Sequence, residues 1–173
     1  MRLEKQAILY FWFMTISTKH EKILQETAAL VENVTDWKTT LSVVCAVLRK
    51  NIPYYDWVGY YFANFETQTL HLTAFDGPPV EHQVIPFGKG ICGQVAVSNE
   101  NFMVPDVNAQ DNYLACNLHV KSEIVIPLFV EGKNIGQIDI DSNTIDPFTP
   151  ADEKLLETIN AQVATIIPTD YLN

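Results

Sequence analysis

"SEIVIPLFVEGKNIGQIDIDS" (122–142) is the stretch on which the fold turns. Two runs rich in β-branched residues, 123–132 and 133–142, meet at "EGK", a join with hairpin chemistry, so the two strands pair antiparallel. Successive side chains on a strand point to opposite faces. Ile138 and Ile140 therefore share one face and fill a core, while Asp139 and Asp141 share the other.

Upstream, "WVGYYFANFE" (57–66) and "QTLHLTAF" (68–75) form a second hairpin across a short polar turn. No helix lies between the strands of either pair, which argues against a parallel βαβ sheet. Helical spacing appears at the two ends of the chain. Ile23, Thr27, Leu30 and Val34 recur at helical intervals within 17–34, and Leu41, Val44, Cys45 and Leu48 form a second stripe that opens at Asp36 and ends before Pro53. Near the C-terminus Thr149 caps a helix with Pro150 in its first turn, and Leu155, Leu156, Ile159, Val163 and Ile166 form its buried face. The expected fold class is α+β, a central antiparallel sheet with N- and C-terminal helices packed on one face.

The chain has 173 residues and is 47% apolar, enough for one domain with its own core. The expected division is an N-terminal extension at 1–17, one domain at 18–168 and a tail at 169–173. Met14 is an alternative start for the chain. The apolar run "AILYFWFMTIS" (7–17) is about half the roughly 20 residues that span a bilayer, so no membrane is expected. A net charge of −10 disfavours nucleic acid, whose phosphates need clustered Lys and Arg. Three cysteines without paired short-range spacing fit free thiols in a cytoplasmic protein.

Between the hairpins lies "GKGICGQ" (88–94), rich in glycine. A phosphate loop needs a Ser or Thr after its lysine, and here Lys89 is followed by Gly90. The G-x-G-x-x-G match lacks its βαβ setting, which leaves a turn feeding a short helix that carries Cys92. A strand at 101–107 and a long polar connection at 107–122 follow, and connections of that length inside compact domains are usually functional or disordered.

Cys116 sits in the middle of this connection, either as a reactive thiol in a polar loop or as a spectator. Cys45, on an apolar helix face, belongs to the core. If the loop covers Asp139 and Asp141, with Glu123 on the neighbouring strand, the carboxylates repel and one stays protonated at neutral pH; if the face opens to water, they are merely solvated. A thiol and a carboxylic acid in one cavity suit attack by sulfur with a proton passing to a leaving oxygen. Trp57 and Tyr61 share a strand face, as ordinary core or as a wall for an apolar group such as a methyl.

"IPFGKGICGQVA", "VPDV", "LACN", "SEIVIPLF", "IGQIDIDS" and "FTPADEKLLE" occur in this order. Together they resemble the free methionine-R-sulfoxide reductases, a family of stand-alone GAF domains, over residues 23–166. The resemblance implies reduction of free L-methionine-(R)-sulfoxide to methionine with no metal and no bound cofactor, by a homodimer recycled by a thioredoxin-type reductant. It implies that Cys116 attacks the sulfoxide sulfur. Glu123, Asp139 and Asp141 would hold the substrate amine and protonate the sulfoxide oxygen, and Trp57 with Tyr61 would receive the S-methyl group.

The family's usual resolving cysteine falls on His82 in this chain, and Cys92 matches an additional family cysteine. Cys92 is thereby the candidate resolving thiol. The alternatives are direct attack of a reductant thiol on oxidised Cys116, or a domain that binds small molecules without turnover, as a sensor does.

Overall fold

The computed structural model describes residues 18–114 and 119–168. The N-terminal extension, the tail and residues 115–118, among them Cys116, lie outside the described residues. Helix α1 covers residues 18–32, and α2, Trp37–Asn51, starts where the Asp36 carboxylate accepts the backbone N–H of Thr39 at 2.8 Å. Its stripe of Leu41, Val44, Cys45 and Leu48 is fully buried. Strands β1 (Trp57–Asn64) and β2 (Thr69–Asp76) form the first hairpin. Next come β3 (Val84–Pro86), α3 (Gly90–Ser98), β4 (Phe102–Val104), β5 (Ser122–Val130), β6 (Lys133–Ser142) and α4 (Pro150–Ala164).

The strands form one six-stranded sheet in the order β3-β2-β1-β6-β5-β4, with every neighbouring pair antiparallel. The β5–β6 turn has Glu131 and Gly132 at φ 51° and 79°. Two consecutive left-handed residues give the turn whose twist matches that of the flanking strands, which is why "EGK" works as a hairpin.

The sheet separates two cores. Ile124, Ile126, Ile138 and Ile140 pack with Ile23 of α1, the α2 stripe and Leu155, Leu156, Ile159 and Val163 of α4. The N- and C-terminal helices thus lie on one face, as the sequence predicts. Two polar groups tie α4 to this face. Asp152 accepts the Thr149 N–H and hydroxyl at 2.8 and 2.7 Å and the hydroxyls of Tyr54 and Tyr55 at 2.7 and 3.0 Å. Asn160 donates to the carbonyls of Ile126 and Pro127 and accepts from the Tyr60 hydroxyl, all at 3.1 Å.

On the opposite face α3 packs Ile91, Cys92 and Val95 against Trp57, Tyr61 and Val125. The strand expected at 101–107 is shorter, three residues at 102–104, because Pro105 ends it and Asp106 caps a 3₁₀ turn, Val107–Ala109. That turn opens the connection expected to be long and polar. Val107 and Val120, near its two ends, are buried in the second core.

Candidate active site

Register and strand alternation build the site. Asp141 lies opposite Trp57 on β1 and Glu123 on β5, and Asp139 lies opposite Gly59 and Val125. All three carboxyls emerge on the α3 side and are buried, with Glu123 at 6% exposure, Asp139 at 2% and Asp141 at 4%. Helix α3 lays Cys92 across them. Its Sγ–H donates to Asp139 Oδ2 at 3.2 Å and lies 3.9 Å from Glu123 Oε1.

The helix reaches this position through the glycine segment. Gly90 has φ 63°, and a Cβ there would lie 2.9 Å from the Leu114 Cβ, so the turn admits no larger residue without moving the loop. Asn112 fastens the same loop to the turn by donating to the Gly88 carbonyl at 2.8 Å. The glycine turn is thereby packed against the segment that carries Asn112 and Leu114.

Burial decides the protonation of the cluster. Loss of water raises Glu123 well above the ordinary carboxyl range, and the neighbouring Asp139 and Asp141 add to the effect. Asp141 is raised by burial first, then by Asp139 and Asp56. Asp139 is raised by burial to about 7, with the Cys92 thiol pulling in the opposite direction. The sequence argument assigned the rise to repulsion between carboxylates. Repulsion is real here, but it comes second to burial and adds to the rise of Glu123 and Asp141 rather than of Asp139.

Cys92, Glu123 and Asp139 each offer one ligand atom, all within 4.8 Å of one another. A cation could use that spacing, and we assign none to it.

Trp57 forms the wall. Its ring lies flat over Gly59, where any Cβ would collide with the six-membered ring, and it stacks on Phe75 at 5.9 Å and faces Tyr61 at 6.3 Å. The Tyr61 hydroxyl donates to the backbone carbonyl of His82 at 2.9 Å, which holds the backbone at His82 beside this wall. A cavity of about 160 Å³ opens at this end of the sheet, lined by Arg49, Asp56, Trp57, Val120, Asp141 and Asn143 among others.

Of the residues singled out in sequence, the fold brings Cys92, Glu123, Asp139 and Asp141 into one cluster, with Trp57 and Tyr61 on the same sheet face. Cys116 lies outside the described residues. Cys45 is in the opposite core, where burial drives its thiol far up. Gln137 escaped the sequence argument: it lies two positions before Asp139 on the same strand face and is fully buried. The alternation that paired Asp139 with Asp141 extends back to it.

An antiparallel sheet in this order, with the N- and C-terminal helices on one face and a short helix on the other, is the architecture of a GAF domain. The family model of the GAF domain matches residues 19–167. Within that fold the chain belongs to the family of free methionine-R-sulfoxide reductases. It is 35% identical over 144 residues to a free methionine-R-sulfoxide reductase of Escherichia coli, covering 83% of this chain and 86% of that protein. The Neisseria meningitidis free methionine-R-sulfoxide reductase, solved in complex with its substrate, superposes with a TM-score of 0.80 at 33% identity, covering 84% of this chain and 86% of that one. A putative GAF sensor protein from Burkholderia vietnamiensis has the same TM-score at 27% identity, covering 86% and 93%. Among the described residues no helix is long and apolar enough to cross a membrane.

Proposed function

We propose that this chain reduces free L-methionine-(R)-sulfoxide to methionine, with Cys116 as the nucleophile and Glu123, Asp139 and Asp141 as the groups that bind the substrate amine and supply protons. The observation that carries the reading is the acid cluster: three buried carboxyls held toward their protonated forms under a thiol-bearing helix. A sulfoxide oxygen is a poor leaving group until it is protonated, and a carboxyl that titrates near neutrality can give up a proton and recover it.

In this reading the Cys116 sulfur attacks the sulfoxide sulfur while a carboxyl protonates the oxygen. Oxygen passes to Cys116, which is oxidised by two electrons to the sulfenic acid, and the sulfoxide is reduced to the thioether. The proton given by the carboxyl becomes that of the S–OH group, and the Cys116 thiol proton refills the carboxyl, so thiol and sulfoxide give sulfenic acid and thioether in balance. A second thiol then condenses with the sulfenic acid, forming a disulfide and releasing water, and a thioredoxin-type reductant in the cytoplasm restores both. Cys92 is our candidate for that second thiol. Trp57 and Tyr61 would supply the apolar wall for the S-methyl group.

The test is methionine release from each epimer, with dithiothreitol and separately with thioredoxin. We expect turnover of the R epimer with at least one of them. Absence of turnover with both would defeat the proposal. Peptide mapping after oxidation by substrate would show whether Cys116 pairs with Cys92.

His82 favours one second reading, a domain that binds a small molecule and reports it, because the family's usual resolving thiol is missing there. Its mark would be calorimetric binding of the sulfoxide, unchanged in Cys116→Ser, without any methionine formed.

A further inference from the structure

Gln137 is fully buried, and neither its Nε2 nor its Oε1 has a hydrogen-bond partner. Such a group is costly, and in a native fold it calls for a reason. Its surroundings supply one. Gln137 stands opposite Tyr61 on β1 and Pro127 on β5, on the face that α3 covers, and the next residue on that face is Asp139. Asp139 is bonded on one side only: Oδ2 accepts from Cys92, and Oδ1 is buried without a partner. An unpaired donor and an unpaired acceptor thus sit two residues apart on one strand face, about 6.6 Å along the chain. A glutamine side chain can span much of that gap.

We propose that Gln137 is a positioning residue of the acid cluster, its amide N–H donating to Asp139 Oδ1 as that carboxyl gives its proton to the sulfoxide oxygen. The proposal rests on the reductase reading for the identity of the proton acceptor. In the step, the O–H bond of Asp139 breaks and an O–H bond forms on the substrate; no electrons move on Gln137 or Asp139, and over the cycle the Cys116 thiol proton refills the carboxyl. The carboxylate left behind then has two donors, Cys92 at Oδ2 and Gln137 at Oδ1. A preorganised donor aimed at charge that develops during the reaction contributes more than one that must first be oriented. The other groups facing Asp139 are Cys92 from α3, Glu123 from β5 and Asp141 on β6 itself. Tyr61 on β1 has its hydroxyl committed to the His82 carbonyl. Among these described neighbours, Gln137 is the neutral amide that can support the anion without adding charge.

The experiment compares wild type with Gln137→Met and Gln137→Leu, which keep bulk and remove the amide. Three quantities are read: the melting temperature, the pH midpoint of the Asp139 carboxyl by infrared titration with Asp139→Asn identifying the band, and kcat/KM for the R epimer. Losing an unpaired buried amide should raise Tm by about 3 °C. Losing the donor should raise the Asp139 midpoint by about one pH unit and lower kcat/KM about tenfold, the loss falling on kcat rather than KM. An unchanged midpoint would overturn the proposal. So would a marked fall in Tm in both variants, because the amide would then have a structural partner. The infrared midpoint needs no turnover, so if the wild type reduces no sulfoxide, the reductase reading fails while the link between Gln137 and Asp139 is still decided.

Discussion

On the sheet face covered by α1, α2 and α4, the Asp152 carboxylate accepts four hydrogen bonds and the Asn160 amide makes three. On the face covered by α3, a buried carboxyl has one oxygen without a partner, and the amide beside it has none at either end. The indole N–H of Trp57 is buried and unpaired there as well. The helix face is not perfect, since Thr27 Oγ1 and one oxygen of Gln162 lack partners. Yet the contrast between its two anchors and the acid cluster is one of purpose. Polar groups that only hold a fold together are paired within it, whereas under the proposed function the cluster keeps hydrogen-bonding capacity for a substrate at some cost in stability.

Substitutions sharpen this contrast. Largest in effect is Cys116→Ser, which should reduce methionine formation at least a thousandfold, read as product released from the R epimer, because a hydroxyl is a far weaker nucleophile than a thiolate. Glu123→Gln removes a proton from the cluster without changing its shape and should lower kcat/KM about a hundredfold, with the circular dichroism spectrum unchanged. On the other face, Asn160→Leu strands two strand carbonyls and the Tyr60 hydroxyl; chemical denaturation should show a loss of about 2–3 kcal/mol, with kcat/KM within twofold of wild type.

The smallest expected effect is on the pH dependence of stability. The folded-state values of Glu123, Asp139 and Asp141 lie above their ordinary values, so the folded protein binds more protons than the unfolded chain between the two. Their stabilising contribution is complete below the ordinary carboxyl range, and for Asp139 it is lost as pH rises from about 4 through about 7. Tm should therefore decline between pH 5 and pH 8, and the decline should be shallower in Asp139→Asn.

Much of this was legible in the sequence, for identifiable reasons. The hairpin at "EGK" and the alternation in "GQIDIDS" gave strand pairing and faces, because a two-residue period leaves no freedom once one face is apolar. Asp36 and Thr149 announced their helices by capping chemistry. The helix start at "GKG" was also visible, but its placement across the acids was not, because that depends on long-range packing of Cys92 onto β5 and β6. Gln137 stayed hidden for a related reason. A lone polar residue between a glycine and an isoleucine reads as solvent-facing until tertiary structure covers it. The dominance of burial over repulsion in the acid cluster is likewise a property of the closed pocket rather than of any local pattern.

One paired measurement tests the division of labour most directly: Tm at pH 8 and kcat/KM for Asp139→Asn on the pocket face and Asp152→Asn on the helix face. The account predicts that Asp139→Asn loses about a hundredfold in kcat/KM while its Tm holds or rises, and that Asp152→Asn loses several degrees of Tm and keeps its turnover. Retained turnover in Asp139→Asn together with lost turnover in a still-folded Asp152→Asn would contradict it.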